Sequence, residues 1–504
     1  MTRSKTLALS AAGLLGTAAL AGCGAVNTVS PAHASANVSA HGVITVQLQA
    51  NTGPASSSQN RMLVEITRQW ERQHPGVTIK FLDNPYTTVT QSNAALITEA
   101  SAGKAPDIVW EQYGTVTSGA IPAGILTNLM PYLKKPNPYV KGNREWLDLW
   151  EPVAQAYMVV GQKAYVLLGS DLGTTIFYNK ADFQKAHISQ PPKTWQQFVV
   201  DLKKLKNAGI TPFMFTDATG GCNPSWFERK FSSELLHSEV NKIDINHAQV
   251  ADGLDTAVAI ERNIISMTNP AYAAGWKLLG AVRPYLAPGA SSVSACANVT
   301  ANAAPESQLI PFAQGKYAMV WSGTWHVPDL KSLGFSGKYG EFPFPEITKA
   351  STKYSANISV NGVVGGPNGV GEWSLTTERA NSNLTPALQK AAINYLQYLY
   401  APQNEGRWVA GAGNGAFVPV IKGAAGTTSS AQQFENSHPP VVIDGVLDGQ
   451  LGASAQTDAV HILQQYLSSS ISWNIFAQEW DAMLKQAAQE WALTNHVNLS
   501  KYVH

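Results

Sequence analysis

The sequence predicts an α/β fold in which helices cover the faces of a mainly parallel sheet. Strand-like and helix-like segments alternate along residues 42–110, and the alternation resumes between residues 163 and 323. Such alternation is typical of parallel sheets with helical crossovers. The chain has 504 residues, of which 44% are hydrophobic and 14% charged. This length allows two or three cores, and the composition is that of an ordinary globular protein.

The first elements carry clear periodicities. Gly42–Ala50 (GVITVQLQA) alternates as a strand does, and an apolar stripe at helical spacing covers residues 62–70 and ends at Pro75. The same criteria predict two further strands and one helix, at 77–83, 106–110 and 91–101 respectively. Ligands in such sheets lie beyond the carboxyl ends of the strands, so the residues that follow each strand are candidates for a site.

The rest of the chain continues the alternation. Strands are predicted at 163–169, 174–180, 210–216 and 316–323. Helices are predicted at 194–209, with Thr194 and Gly209 as caps, at 388–400, and within the last thirty residues. In that last helix aromatic and apolar residues recur at helical spacing, which favours core packing over ligand binding. They are Trp473, Phe476, Trp480, Leu484 and Trp491.

Charge and aromatic content narrow the possible partners. The chain has 35 basic and 34 acidic residues. This balance gives no electrostatic footprint for nucleic acid or for an anionic membrane surface, so a neutral ligand is favoured. The 14 Trp and 17 Tyr residues offer large apolar faces with polar edges.

The N-terminus is predicted to be a lipoprotein signal peptide, residues 1–22. Arg3 and Lys5 precede an apolar stretch, Leu7–Leu20, and the segment LAGC ends at Cys23. This segment resembles a bacterial lipobox, which implies a lipid on the Cys23 sulfur. About 14 apolar residues are fewer than the roughly 20 that a spanning helix needs. Residues 23–41 are then a flexible tether between the membrane and a folded domain.

The two remaining cysteines, Cys222 and Cys296, leave their pairing open. In an oxidising compartment they could form one disulfide, and two buried thiols are an equal alternative, because sequence separation does not give the distance between them.

The sequence lacks the motifs of familiar catalysts. No G-x-S-x-G, H-E-x-x-H, C-x-x-C or G-x-x-x-x-G-K-[ST] pattern occurs in the chain. The segment Asp444–Asp448 (DGVLD) lacks the alternating oxygen ligands of a calcium loop. We therefore expect no enzyme activity, no cofactor and no metal. A carboxylate pair acting on a glycoside stays a weak alternative, since sequence cannot locate such a pair.

Six segments, in order along the chain, resemble a known family. They are 100–110 (ASAGKAPDIVW), 124–133 (GILTNLMPYL), 176–198 (IFYNKADFQKAHISQPPKTWQQF), 205–213 (LKNAGITPF), 312–325 (FAQGKYAMVWSGTW) and 391–420 (AAINYLQYLYAPQNEGRWVAGAGNGAFVPV). Together with the lipobox, they resemble the extracellular solute-binding lipoproteins of ABC sugar importers, which are similar to maltose-binding protein. Each segment alone is weak evidence, but the order of all six is specific. Residues 289–306 have no clear counterpart in the family.

The resemblance implies a two-lobed periplasmic-binding-protein fold with a hinge of crossing strands and a ligand cleft between the lobes. Lobe 1 would comprise residues 42–168 and 360–418, and lobe 2 residues 171–357 and 420–504. The implied function is to capture a carbohydrate, with an oligosaccharide favoured, outside the membrane, and to deliver it to a permease when the cleft closes. We expect a monomer anchored to the outer face of the cell membrane, working with separate permease subunits. A surface carbohydrate-active enzyme and a sugar-sensing lipoprotein remain as alternatives.

The resemblance also nominates a binding site, centred on Trp325. This residue follows the predicted strand 316–323, at a position where the family commonly stacks tryptophan on a sugar ring. Gly323 is expected to allow a tight turn there, so that the indole faces the cleft. Trp321, within the strand, is more typical of core packing but is kept as a candidate.

Further candidates lie at other strand ends. Trp110 and Glu111 follow the strand at 106–110, Asp171 and Thr174 precede or begin the strand at 174–180, and Trp226 lies in the loop after residues 210–216. Asn51 is one of several polar residues after the first strand, and the sequence does not fix which of them faces the ligand. The identity, linkage and length of the sugar are not readable from these residues.

The lipid anchor can be tested directly. Cys23→Ser should release the protein from the membrane fraction into the medium or the soluble extract, because it removes the sulfur that carries the lipid. Cell fractionation followed by immunoblotting measures this. Retention of the variant in the membrane fraction would contradict the anchor.

Overall fold

A computed structural model of the chain describes most of the region after the predicted tether. The described residues are 40–49, 53–58, 60–86, 89–110, 120–121, 123–159, 162–215, 225–245, 250–290, 308–358, 365–366, 372–412, 417–424 and 442–503. The predicted signal peptide, Cys23, Asn51, Glu111, Cys222 and Cys296 lie outside this part, as does most of the 289–306 stretch. The hypotheses about them stay predictions.

The strands and helices follow one another in the order that an α/β protein shows. The strands are β1 (Gly42–Gln47), β2 (Val77–Leu82), β3 (Ile108–Trp110), β4 (Ser170–Asn179), β5 (Phe213–Phe215), β6 (Val250–Ala251), β7 (Met319–Gly323), β8 (Tyr339–Phe342), β9 (Gly365–Gly366), β10 (Trp373–Leu375), β11 (Val418–Pro419) and β12 (Val442–Ile443). The helices are α1 (Arg61–Gln73), α2 (Val89–Ser101), α3 (Met130–Leu133), α4 (Pro152–Met158), α5 (Lys180–Lys185), α6 (Trp195–Asn207), α7 (Ser225–Leu235), α8 (Val240–Ile243), α9 (Gly253–Glu261), α10 (Pro270–Val282), α11 (Leu309–Ala313), α12 (Val327–Ser332), α13 (Pro386–Leu399), α14 (Pro402–Ala412), α15 (Ala453–Leu467) and α16 (Trp473–Thr494).

The first sheet has the strand order β10-β3-β1-β2. Strand β1 pairs in parallel with β2 and β3, as predicted, and β10 joins β3 in the antiparallel sense. The alternate residues Ile44 and Val46 are fully buried, which is why the apolar alternation of β1 was readable. Helices α1 and α13 meet where the Trp70 indole N–H donates to the Asn394 side chain at 2.9 Å.

A buried carboxylate fixes the register of β1 and β3. Oδ2 of Asp107 accepts from the backbone N–H and the hydroxyl of Thr45, at 2.7 and 2.6 Å. Its Oδ1 accepts from the Asn381 side chain at 2.9 Å. Asp107 therefore ties three chain segments together just before Trp110, a predicted site residue.

The second sheet has the path β11-β4-β7-β5, with β8 and β9 also paired to β4. Strand β7 is parallel to β5, whereas β7, β8, β9 and β11 all run antiparallel to β4. The prediction of a mainly parallel sheet is therefore wrong for this part of the chain. The chain returns to β4 from several later segments, and sequence periodicity does not reveal their direction.

The predicted strand at 163–169 is not formed. Leu167 forms an isolated bridge there and exchanges both backbone hydrogen bonds with Trp373. The carbonyl of Ala164 instead accepts from the Leu129 N–H at 2.6 Å. Most of the apolar side chains in this segment are buried, but no strand among the described residues pairs with it along its length.

The helix boundaries agree closely with the capping residues predicted from sequence. Thr194 is the N-cap of α6 and forms a capping box with Gln197. The helix ends one residue earlier than predicted, with Ala208 as its C-cap, and Gly209 follows with φ of 72°. In α16 the side chains of Phe476, Trp480 and Leu484 are buried, so their predicted core role is confirmed. No helix in the described part of the chain is long and apolar enough to cross a membrane.

The chain passes between the two sheets at the start of β4. Leu167 is bridged to Trp373 beside the first sheet, and three residues later β4 begins in the second. There Ser170 and Asp171 pair with β11, and the next two residues pair with β9. Beyond β11 the chain leaves β4, and Ile421 forms an isolated bridge with Trp150. The lobe limits predicted from sequence stay a prediction.

The buried carboxyl of Asp255 should make stability depend on pH. It accepts the N–H groups of Ile245 and Asp252, and burial, with the charges of Asp252 and Asp244, raises its pKa to about 7. The folded state thus binds this proton more tightly than the unfolded chain. The contribution of this proton to stability is complete below about pH 4 and is lost as the pH rises through about 7. The free energy of unfolding should fall by about 4 kcal/mol at most over this range.

Asp255→Asn, which stays neutral, should flatten this decline in the free energy of unfolding. Urea unfolding between pH 4 and pH 8 measures it. An unchanged pH dependence in the variant would show that Asp255 is not the titrating group.

Candidate functional site

Strand pairing brings two predicted site segments together. Thr174 on β4 lies directly opposite Gly323 at the end of β7. The next residues, Thr324–His326, form a 3-10 helix that carries Trp325. The predicted turn after β7 therefore lies beside the middle of β4, three residues from Asp171.

The role predicted for Gly323 is wrong. Its φ and ψ are −93° and 150°, an extended conformation that any residue adopts. The chain turns because a 3-10 helix begins after the strand, and this needs no left-handed residue. The backbone of Trp325 is described within this helix, whereas its side chain lies outside the described part. The neighbouring His326 is buried, and its Nδ1 lies 2.7 Å from Oδ2 of Asp329.

Two of the predicted tryptophans contact each other. Trp226 lies in the first turn of α7, so its predicted place in a loop is wrong. Its ring centroid is 5.4 Å from that of Trp321, with the planes at 59°. Trp321 is fully buried and also packs against Phe227 and Phe344, at 4.8 and 4.2 Å. Trp321 therefore lies in the core, the position that sequence favoured, and Trp226 is the outer member of the pair, 5% exposed.

Polar groups on β4 line the same region. Asp171 is buried opposite Val418 of β11. Thr174 is only 1% exposed, and its hydroxyl has no hydrogen-bond partner among the described residues.

Trp110 belongs to a different aromatic group, in the first sheet. Its ring is fully buried, stacks on Trp373 at 4.8 Å with 25° between the planes, and meets the edge of Trp408 at 6.2 Å. In this arrangement one indole face is occupied by protein, so a sugar would reach Trp110 only by displacing packed residues. Its predicted neighbours in the site, Glu111 and Asn51, lie outside the described part.

The geometry thus joins the second-sheet candidates and leaves Trp110 in its own aromatic group. A family model described as bacterial extracellular solute-binding protein matches residues 55–406. This chain belongs to that family. Membership confirms the resemblance seen in the sequence segments and places the protein outside the cytoplasm.

Curated relatives of this solute-binding protein match over a shorter region. A protein of Brucella abortus, described only as a binding protein, is 27% identical over 164 residues, which are 32% of this chain and 35% of the relative. The match thus spans about a third of the length of the relative.

Solved structures match over nearly the whole chain. A chitin oligosaccharide binding protein is 20% identical with a TM-score of 0.58, covering 89% of this chain and 99% of that one. The protein RafE, solved in complex with raffinose, is 17% identical with a TM-score of 0.56, covering 89% of this chain and 100% of RafE. A secreted solute-binding lipoprotein from Streptomyces coelicolor is 14% identical with a TM-score of 0.61, covering 90% of this chain and 99% of that one. At these identities the likeness shows the fold, and the predicted two-lobed fold is confirmed.

The structure adds a set of buried charges that sequence reasoning missed. Helix α7 is buried along its whole length and carries Glu228, Arg229, Lys230 and Glu234. Arg229 Nε lies 2.6 Å from Asp444 Oδ1, and Lys230 Nζ lies 3.8 Å from Glu234 Oε2. Burial raises the pKa of Glu234 to about 7 and lowers the pKa of Lys230. Both cations lie beside carboxylates, so their charges are balanced within this buried helix.

A second missed residue, Glu405 on α14, lies at a passage between the sheets. Its carboxyl is fully buried, and Oε1 accepts the Val420 N–H at 3.1 Å. Burial raises its pKa well above the usual range. Val420 directly follows β11, so Glu405 holds the returning strand where it leaves β4. No sequence motif marks this role, because the partner is a backbone N–H.

Two surface grooves lie away from the candidate site. One, of about 510 Å³, runs along α6 and is lined by residues between Ile188 and Lys204. The other, of about 330 Å³, separates α15 from α16. Among the described residues, no cluster of three or more His, Cys, Asp or Glu side chains could hold a metal ion.

Proposed function

We propose that this solute-binding protein is the substrate-binding component of an ABC importer and that its ligand is an oligosaccharide. The observation that carries the proposal is the likeness, over nearly the whole chain, to solved structures of proteins that bind such ligands. They include a chitin oligosaccharide binding protein, RafE with raffinose, and the GacH receptor with acarbose. Proteins that bind different oligosaccharides thus share this fold.

The candidate site supports a sugar ligand on chemical grounds. A pyranose has an apolar face of C–H groups and a rim of hydroxyls, and indole rings cover the first while buried polar groups bond to the second. Trp325 and Trp226 would supply the rings, and Asp171 and Thr174 the polar groups. Glu111 and Asn51 would act from the first sheet across the cleft.

Capture would depend on closure of the two lobes about the strands that pass between them. Closure excludes water and strengthens each hydrogen bond to the sugar. Micromolar affinity needs about −8 kcal/mol, which a few stacked rings and hydrogen bonds provide after the loss of ligand freedom. The closed, sugar-loaded form would be delivered to permease subunits at the membrane surface. The lipid on Cys23 would anchor the protein there, and the protein would act as a monomer.

A titration tests the proposed function. The soluble chain from Asn27 onward should show a saturable change in tryptophan fluorescence with one class of oligosaccharide, at micromolar concentration. The panel should contain chitin oligosaccharides, raffinose, acarbose and maltodextrins, with glucose and galactose as monosaccharide controls. The bound sugar should be recovered unchanged by chromatography. Hydrolysis of the sugar would favour the surface enzyme. If neither fluorescence nor calorimetry detects binding of any sugar in the panel, a sugar-binding role is contradicted.

The place of Trp325 in the site can be tested with the same ligand. Trp325→Ala should weaken binding more than tenfold, because it removes the stacking face, while the midpoint of thermal unfolding stays close to that of the wild type. Trp473→Ala is the matched control, since Trp473 packs on Tyr466 in the C-terminal helices. The control should lower thermal stability and leave affinity unchanged. Unchanged affinity in Trp325→Ala would remove this residue from the site.

A further inference from the structure

Helix α7 presents three polar side chains to a distant segment of the chain. Oε2 of Glu228 accepts the Leu447 N–H at 2.8 Å, and the Ser233 hydroxyl accepts the Ile443 N–H at 3.0 Å. Arg229 pairs with Asp444 between them. Residues 442–447 are thus held along α7 at both ends and in the middle, and we call them the α7 strap.

The strap contains a glycine that makes this contact possible. A Cβ atom on Gly445 would lie 2.0 Å from Cδ of Glu228 and 2.3 Å from each carboxylate oxygen. The backbone itself does not need glycine, since φ is −111°. Gly445 is therefore required by the close approach of the Glu228 carboxylate. This contact explains the glycine of the Asp-Gly pair at 444–445.

The other oxygen of Glu228 connects α7 to two more helices. Oε1 accepts from the Tyr272 hydroxyl on α10 at 3.3 Å, and the Trp480 indole N–H on α16 donates to that hydroxyl at 3.0 Å. Burial, and next the charge of Glu228, raise the pKa of Tyr272 well above its usual range. The phenol thus keeps its proton and remains a donor, and the carboxylate is bonded on both sides.

The same helix sets the position of Trp226. This residue precedes Glu228 by two positions in the first turn of α7, and its ring packs on Trp321 of β7. A small rotation of α7 about its axis would move the Trp226 ring across Trp321. The carboxylate that fixes that rotation is only 1% exposed.

We infer that Glu228 is a positioning residue of the sugar site, because its carboxylate holds the α7 strap and so fixes the rotation of α7 and the place of the Trp226 ring. Glu228 does not touch the ligand and acts through Trp226. The inference rests on the proposed function for its effect on affinity, but its structural part, the placement of Trp226, can be measured without a ligand.

A double-mutant cycle tests the effect on binding. Glu228→Gln keeps the shape of the side chain but turns an N–H group toward one of the two donors, so one hydrogen bond is lost. It should weaken sugar binding five- to tenfold. In a Trp226→Phe background the same change should weaken binding less than twofold further, since the residue through which it acts is absent. Effects that multiply, or an unchanged affinity in Glu228→Gln, would overturn the inference.

General destabilisation is separated from positioning by a matched control. Asp255→Asn also alters a buried carboxylate that accepts two backbone N–H groups, on α9. It should change thermal stability and leave sugar affinity within twofold of the wild type. A loss of affinity equal to that of Glu228→Gln would show that both variants act only through stability. If Glu228→Gln does not fold, Tyr272→Phe removes one donor to the carboxylate and should weaken binding two- to threefold, with the same dependence on Trp226.

A ligand-free measurement keeps this test independent of the proposed function. The protein labelled with 5-fluorotryptophan gives one fluorine resonance per tryptophan, and Trp226→Phe identifies that of residue 226. Glu228→Gln should shift this resonance, and Asp255→Asn should not. If the wild type binds no sugar but the shift is present, the proposed function fails and the positioning stands. If the resonance of Trp226 does not move, the positioning role is wrong whatever the ligand.

Discussion

Strand β4 is the element on which the other parts of the fold depend. Its first residues pair with β11 and β9, and its later residues pair with β7 and β8. The same ten residues therefore hold the strands that pass between the sheets and the turn that carries Trp325. Because backbone hydrogen bonds fix this register residue by residue, a shift of one position would face Thr174 away from Gly323 and would move the passages together with the site.

Sequence reasoning found the elements whose signal is local. The alternation in β1, the stripe of α1 and the cap at Thr194 are each encoded within a few residues, and the structure has them where expected. The strand predicted at 163–169 is absent because its apolar side chains are buried without pairing along the segment to a neighbouring strand. The direction of β7 against β4 was also out of reach, since it depends on contacts between residues about 145 positions apart in the chain.

For the candidate site, the sequence identified residue types and the structure supplied their neighbours. The pair Trp226 and Trp321 and the position of Thr174 were named from family resemblance, but their proximity follows only from strand pairing and from α7. Glu405 was invisible because its partner is the backbone of Val420, which has no sequence signature. Gly323 shows the opposite error, in which a glycine was given a conformational role that an extended φ does not need.

The contact between Glu228 and Gly445 has an evolutionary consequence. The two positions are 217 residues apart, yet any side chain at 445 would collide with the carboxylate at 228. Neither position can therefore change freely while the other is kept. Among related chains we expect the two to vary as a pair, with larger residues at 445 found only where 228 is short. Such covariation would identify which members of the family share this strap and which hold the helix by other means.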